Sequence, residues 1–276
     1  MSDEAQEIFN EKLLVFDCTP PWEWPEDAAE TLLRILREKK DVESDRVLAT
    51  EFAGDYVVVN DEIVEELLKI LQDPNEAEAV RGQAAISLGP VLEACDTDGF
   101  DDPEDVPISE ETFQLILHAL PVPYMDENTP KLVRRRVMEA AVRAPQGWLK
   151  DAVTKAYASG DPEWKLTAVF CMAHLKGFES QILESLNSDD SEIVYEAVRG
   201  AGNWQLNAAW PRVVELLKSP DTDKPTLMAA IEAVAAIRPK EAGKLLRKFV
   251  DSKDEDIAET ASEALGMAEG LGDMEY

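Results

Sequence analysis

The sequence predicts an all-α fold, a solenoid of about seven stacked helical pairs. Three observations predict it. A ten-residue cassette rich in Ala and Gly recurs down the chain. An amphipathic helical stripe precedes nearly every copy. The copies lie about one helix-turn-helix apart. The clearest copies are Val80-Arg81-Gly82-Gln83-Ala84-Ala85-Ile86-Ser87-Leu88-Gly89 and Ile257-Ala258-Glu259-Thr260-Ala261-Ser262-Glu263-Ala264-Leu265-Gly266.

Each cassette reads as the second helix of a pair. Apolar or small residues at its positions one, five, six, nine and ten form one stripe on a 3.6-residue helix. Seven copies start at Asp45, Val80, Val133, Trp164, Ile193, Thr226 and Ile257. They end at Gly54, Gly89, Val142, Ala173, Gly202, Ala235 and Gly266, in steps of 35, 53, 31, 29, 33 and 31 residues.

First helices are expected over 26–37, 61–71, 111–120, 148–157, 180–186, 211–217 and 242–250. In the second of these, Ile63, Leu67, Leu68 and Leu71 share one face. Asp73-Pro74 and Asp161-Pro162 put proline where it opens a helix without removing a needed donor. The repeat array is expected over 26–268.

Three segments stand outside this pattern. Residues 1–25 carry Ile8, Phe9, Leu13, Leu14 and Phe16 ahead of Pro20-Pro21-Trp22-Glu23-Trp24-Pro25. They are expected to cap the array, because a terminal repeat lacks a neighbour on one face. Residues 96–107 form an acidic insertion that accounts for the 53-residue step, and 269–276 read as a flexible tail.

The chain holds 57 acidic and 27 basic residues, a net charge of −30. Nucleic acid and anionic membrane surfaces need neutralising cations, so neither is expected as a partner. Residues 1–130 contain 33 acids and 8 bases, and residues 131–276 contain 24 and 19. Cys18, Cys95 and Cys171 are odd in number, far apart and outside any Cys-x-x-Cys, which reads as free thiols in a reducing compartment. The acidic start lacks the pattern of a secretory signal, and no apolar run reaches membrane-spanning length. A cytoplasmic location is expected.

These cassettes resemble the HEAT-repeat family. The residues that carry the likeness are Asp73-Pro74 followed by Val80-Arg81-x-x-Ala84-Ala85-x-x-Leu88-Gly89, then 193–202 and 257–266. Val142 ends the third cassette where the family has Gly, and a Val-Arg pair opening a cassette recurs only at Val133-Arg134. The resemblance implies a right-handed α–α superhelix whose second helices line a concave, protein-binding face. It also leaves open an enzyme of the phycobilin-lyase type. The alkylpurine glycosylase type would need a basic groove, and the deoxyhypusine hydroxylase type needs His-Glu metal motifs, which the sequence lacks.

Cassette positions three, seven and eleven should face away from the packing stripe. In the middle repeats they give Arg135, Arg143, Phe170, His174, Tyr195, Arg199 and Asn203, with Trp204 at the rim. Arg and Tyr are common binding anchors, so these residues are the candidate recognition patch, with Arg135 and Arg199 suited to carboxylates. The competing reading pairs each Arg with a nearby acid and packs the rings on neighbouring helices. Trp148, Trp164 and Trp210 read as core residues, and Trp22 and Trp24 as part of the cap.

No chemistry-bearing motif competes with this binding reading. The acidic insertion departs from a calcium loop, with Gly99 at position four and Pro107 at position twelve. Cys171 and His174 lie one helical turn apart, the spacing of a thiolate pair, but no third orienting group accompanies them. No cofactor or metal is expected. The function expected is that of a non-enzymatic scaffold or adaptor that binds a protein or peptide on its concave face. An acidic inhibitor of a basic toxin is a variant of the same reading.

Overall fold

A computed structural model describes residues 13–38, 42–102 and 106–273, with side chains to 270. Ile8 and Phe9 of the expected cap lie outside the described residues, as do 103–105 of the insertion and 274–276 of the tail. The described residues hold helices and no strand. The fold class is the expected one, an all-α repeat solenoid. The chain divides into two compact units, 1–149 and 150–276.

The first unit opens with a helical turn over 13–18 and a 3-10 turn at Pro21–Glu23. Leu13 and Phe16 are buried there. Phe16, Trp24 and Phe52 stack with centroids 5.3 to 6.1 Å apart, and the Trp24 indole N–H donates to the Phe16 and Thr19 carbonyls. Trp22, expected beside Trp24 in the cap, is 77 % exposed.

Next come α1 (Ala28–Arg37), α2 (Glu43–Phe52), α3 (Asp61–Gln72) and α4 (Glu78–Ser87). They are followed by α5 (Gly89–Asp98), α6 (Glu110–Ala119), α7 (Pro121–Met125) and α8 (Lys131–Ala141). Helices α2, α4 and α8 carry the first three cassettes, and each packs on the next. The insertion therefore leaves the stacking of second helices intact, because α4 still reaches α8.

Two details differ from expectation. Residues 89–98 are helical, so Asp96 and Asp98 belong to the last turn of α5 and not to a loop. Pro90 occupies the first turn of α5, where its missing N–H costs nothing, and Val91, Leu92 and Cys95 anchor the helix in the core. Pro74 opens no helix. Asp73 instead folds an Asx turn, its carboxylate accepting from the Asn75 N–H at 2.9 Å, and α4 starts at Glu78.

Arginines close several of the helices that precede a cassette. The Arg81 Nε donates to the Leu71 carbonyl at 3.0 Å, and the Arg134 Nε to that of Tyr124 at 3.0 Å. Arg46 reaches the Leu36 carbonyl and pairs with Glu76, both side chains being 6 % exposed. Each donor lies ten residues after its acceptor, so a cation sits where the end of a helix presents partial negative charge.

The second unit contains α9 (Leu149–Ala158), α10 (Pro162–Met172), α11 (Glu179–Ser185) and α12 (Ser191–Asn203). Then come α13 (Trp210–Lys218), α14 (Lys224–Ile237), α15 (Pro239–Val250) and α16 (Glu255–Asp273). The even-numbered helices are the last four cassettes, and each packs on the next. Their starts share one device. Asp161, Asp190 and Asp223 accept first-turn backbone N–H groups as N-caps, and Asp254 accepts from the Ile257 N–H. Lys224 bridges Asp254 and Asp256 at 2.8 and 2.6 Å, tying the start of α14 to that of α16. Residues 269–273, expected in the tail, continue α16.

The glycine that ends several cassettes is not equally needed in each. A Cβ on Gly54 would lie 2.6 Å from the Ser87 carbonyl oxygen, and one on Gly202 would lie 3.1 Å from the Ala233 Cα. A Cβ on Gly266 meets nothing within 4 Å. Gly54→Ala should therefore destabilise by about 1–3 kcal/mol through overpacking. Gly266→Ala should stabilise by about 0.5–1 kcal/mol through helix propensity. Urea unfolding followed by circular dichroism checks both signs.

Candidate functional site: a groove on the second helices

In the second unit, a groove of about 600 Å3 runs over α12, α14 and α16. Its construction follows from the repeat register. The lining residues of α14 are Ala229, Glu232, Ala233 and Ala236, at cassette positions four, seven, eight and eleven. The same positions of α16 supply Thr260, Glu263, Ala264 and Met267. This i, i+3, i+4, i+7 spacing is one face of a helix.

Positions four and eight are buried and make the floor: Ala229, Ala233, Thr260 and Ala264. Short side chains there keep the floor low. Position seven supplies the walls, with Glu232 and Glu263 exposed. From α12 come Arg199, Gly202 and Asn203, and just beyond it Gln205. Gln205 has φ 50°, in the left-handed region that few non-glycine residues occupy. This backbone ends α12: the Leu206 N–H folds back to the Ala201 carbonyl at 2.9 Å, which sets Gln205 at the groove rim.

Of the candidate residues, Arg199 and Asn203 line this groove. Arg199 pairs with Glu196 at 3.1 Å, and its guanidinium lies 5.7 Å from the Tyr195 ring centroid. Asn203 also donates to the Ala173 carbonyl at 3.3 Å, and the Trp204 indole N–H donates to that of Met172 at 2.8 Å. Both bonds satisfy carbonyls at the end of α10, so Trp204 ties two repeats together where a contact at the rim was expected. Phe170 and His174 pack their rings 5.4 Å apart, and neither lines the groove.

Arg135 and Arg143 belong to the first unit, on and just after α8. Arg143 pairs with Glu93 of α5 at 2.6 Å, and Arg135 is half-buried. The outward positions of this unit are partly covered. Gly82 is buried, with Arg136 and Leu132 of α8 3.4 and 3.6 Å from where its Cβ would sit, and Glu139 is 7 % exposed and paired with Arg136. Positions seven and eleven of α12, α14 and α16 thus reach this groove, while in the first unit the same positions of the first two cassettes (Glu51, Asp55, Ile86 and Pro90) line a separate pocket of about 440 Å3. Position three does not reach it, and the floor at positions four and eight was missed because only positions three, seven and eleven were read as facing outward.

Cys171 is fully buried in α10, a structural setting for the thiol of the considered Cys-His pair. Cys95 is 2 % exposed, and burial, then the charges of Asp98 and Asp61, push its thiol up to about 11. Among the described residues no group of three or more His, Cys, Asp and Glu is placed to hold a metal ion. No helix among them is long and apolar enough to cross a membrane.

Residues 179–266 match the family model for HEAT repeats. A search of curated proteins found no match. Among solved structures the chain is similar to an engineered protein at 21 % identity and a TM-score of 0.44, over 75 % of this chain and 96 % of that one. It is similar to human deoxyhypusine hydroxylase in complex with glycerol at 17 % identity and 0.41, over 97 % and 96 %. It is also similar to YibA of E. coli at 15 % identity and 0.45, over 96 % and 97 %.

The thiol burial gives a direct expectation. A thiol whose pKa is raised by folding stays neutral in the native state, and its contribution to stability is lost only as pH rises from the ordinary thiol value towards 11. At pH 8 a disulfide reagent such as Ellman's should therefore titrate exposed Cys18 alone in the native protein and all three thiols in urea.

The family match spans α11 to α16 apart from the end of α16, the stretch that builds most of the groove, and the earlier helical pairs follow the same plan: residues 179–266 are HEAT-like repeats within an all-α repeat solenoid.

Proposed function

We propose that the chain is a non-enzymatic protein-interaction scaffold or adaptor that holds a segment of a partner protein in the groove over α12, α14 and α16. The observation that carries this reading is the groove itself. Three successive second helices present positions seven and eleven to one open channel of about 600 Å3, within the size range of binding clefts. Repeat proteins use such faces because each added repeat extends the surface without altering the core. A net charge of −30 favours a protein segment over nucleic acid as the occupant. Of the candidate residues, Arg199 and Asn203 would make direct contact, with Gln205, Glu232, Glu263 and Met267.

Site-specific photo-crosslinking tests this. A benzophenone amino acid at position 236, inside the groove, should give one defined protein adduct in the native cell. The same group at exposed position 247, on first helix α15, should give none. Adducts equal at both positions, or absent at 236, would overturn the reading.

A further inference from the structure

We infer that the occupant of this groove is a basic segment, one that sets a Lys or Arg side chain between Glu232 and Glu263. This rests on the binding reading above and adds the chemistry of the partner. The argument begins with register. Arg199, Glu232 and Glu263 all hold cassette position seven, so they form one row across α12, α14 and α16, helices that pack side by side. Packed helices run about 8–10 Å apart, which leaves room for one side chain between neighbouring members of the row.

The charges along that row are unequal. Arg199 is the only cation among the lining residues, and Glu196 already pairs with it at 3.1 Å. Glu232 and Glu263 are exposed, and among the described residues neither has an ion-pair partner. The groove therefore carries two uncompensated carboxylates above a floor of Ala and Thr, with Met267 beside them.

An acidic segment, the occupant that Arg135 and Arg199 suggest from sequence, would meet those two carboxylates head on. A basic one would gain charge-assisted hydrogen bonds from them. Its methylene stem would lie on the Ala floor and against Met267, as long cationic side chains do on apolar surface. The field of a chain at −30 would speed the approach of the same partner.

The test uses the intact chain and a fluorescein-labelled twelve-residue peptide of alternating Ala and Lys, followed by fluorescence anisotropy. The double variant Glu232→Gln/Glu263→Gln should weaken binding about tenfold or more. The control pair Glu179→Gln/Glu255→Gln changes net charge equally at exposed sites outside the groove and should weaken it less than about twofold. Equal weakening by both pairs would mean attraction by the overall field alone, and would overturn the inference.

Ala236→Trp, which fills the groove, separates the two levels of the account. If it abolishes peptide binding while the groove Gln pair leaves binding unchanged, the groove reading stands and the seating of a cation between Glu232 and Glu263 is wrong. If neither variant changes binding, both are wrong. Circular dichroism confirms that each variant is folded.

Discussion

Close approach between successive second helices is the constraint on which the rest of this structure depends. At Gly54 the end of α2 comes so near α4 that a single added carbon would press on the Ser87 backbone. At Gly202, α12 meets the backbone of Ala233 in α14 almost as closely. Contacts of this kind need residues with almost no side chain, which is why Ala and Gly recur at fixed cassette positions. Dispersion falls steeply with a gap of even half an ångström, so the small residues draw the helices together and do not merely tolerate contact. First helices then cover the outer side with Leu, Ile and Val, and arginine or aspartate side chains satisfy the exposed ends.

The same constraint shapes the surface. Because second helices touch along short side chains, their remaining face is low and continuous, and whatever stands at position seven decides its character. In the first unit this face is covered in part: α8 lays Leu132 and Arg136 over Gly82, and Arg136 neutralises Glu139, while Glu51, Gln83, Ile86 and Pro90 line a pocket of about 440 Å3 beside Phe16 and Trp24. In the second unit it stays open, and Glu232 and Glu263 flank a channel floored by alanine. Two stretches with one repeat plan therefore present different chemistry. The difference lies in a few residues outside the packing stripe.

Much of this fold was legible because its signal is periodic. All seven cassettes became second helices and all seven expected first helices formed, since each packing stripe recurs with the helical period. Errors arose where one residue has two physical uses. Pro90, at outward position eleven, is exposed as that position predicts, but it also opens α5, where the sequence predicts no helix. Pro74 read as a helix start and lies in a turn that Asp73 organises. At the site, Arg199, Asn203 and His174 were all read from outward cassette positions, and of these Arg199 and Asn203 line the groove, whereas Trp204 was added as the residue after Asn203. Nothing in the sequence marks Trp204 as donating to Met172, because that bond joins two repeats 32 residues apart. The arginine bonds that close α1 and α3 were equally hidden, being visible only once the helix ends are in place.

If contact among second helices holds the array together, they should be its most protected elements. Amide hydrogen exchange read residue by residue on the intact chain tests this most directly. In the second unit the account predicts that amides of α12 and α14, each flanked by second helices on both sides, exchange more slowly than those of α11 and α13. Protection of α11 and α13 equal to or greater than that of α12 and α14 would contradict it, and would place the stabilising contacts on the outer layer.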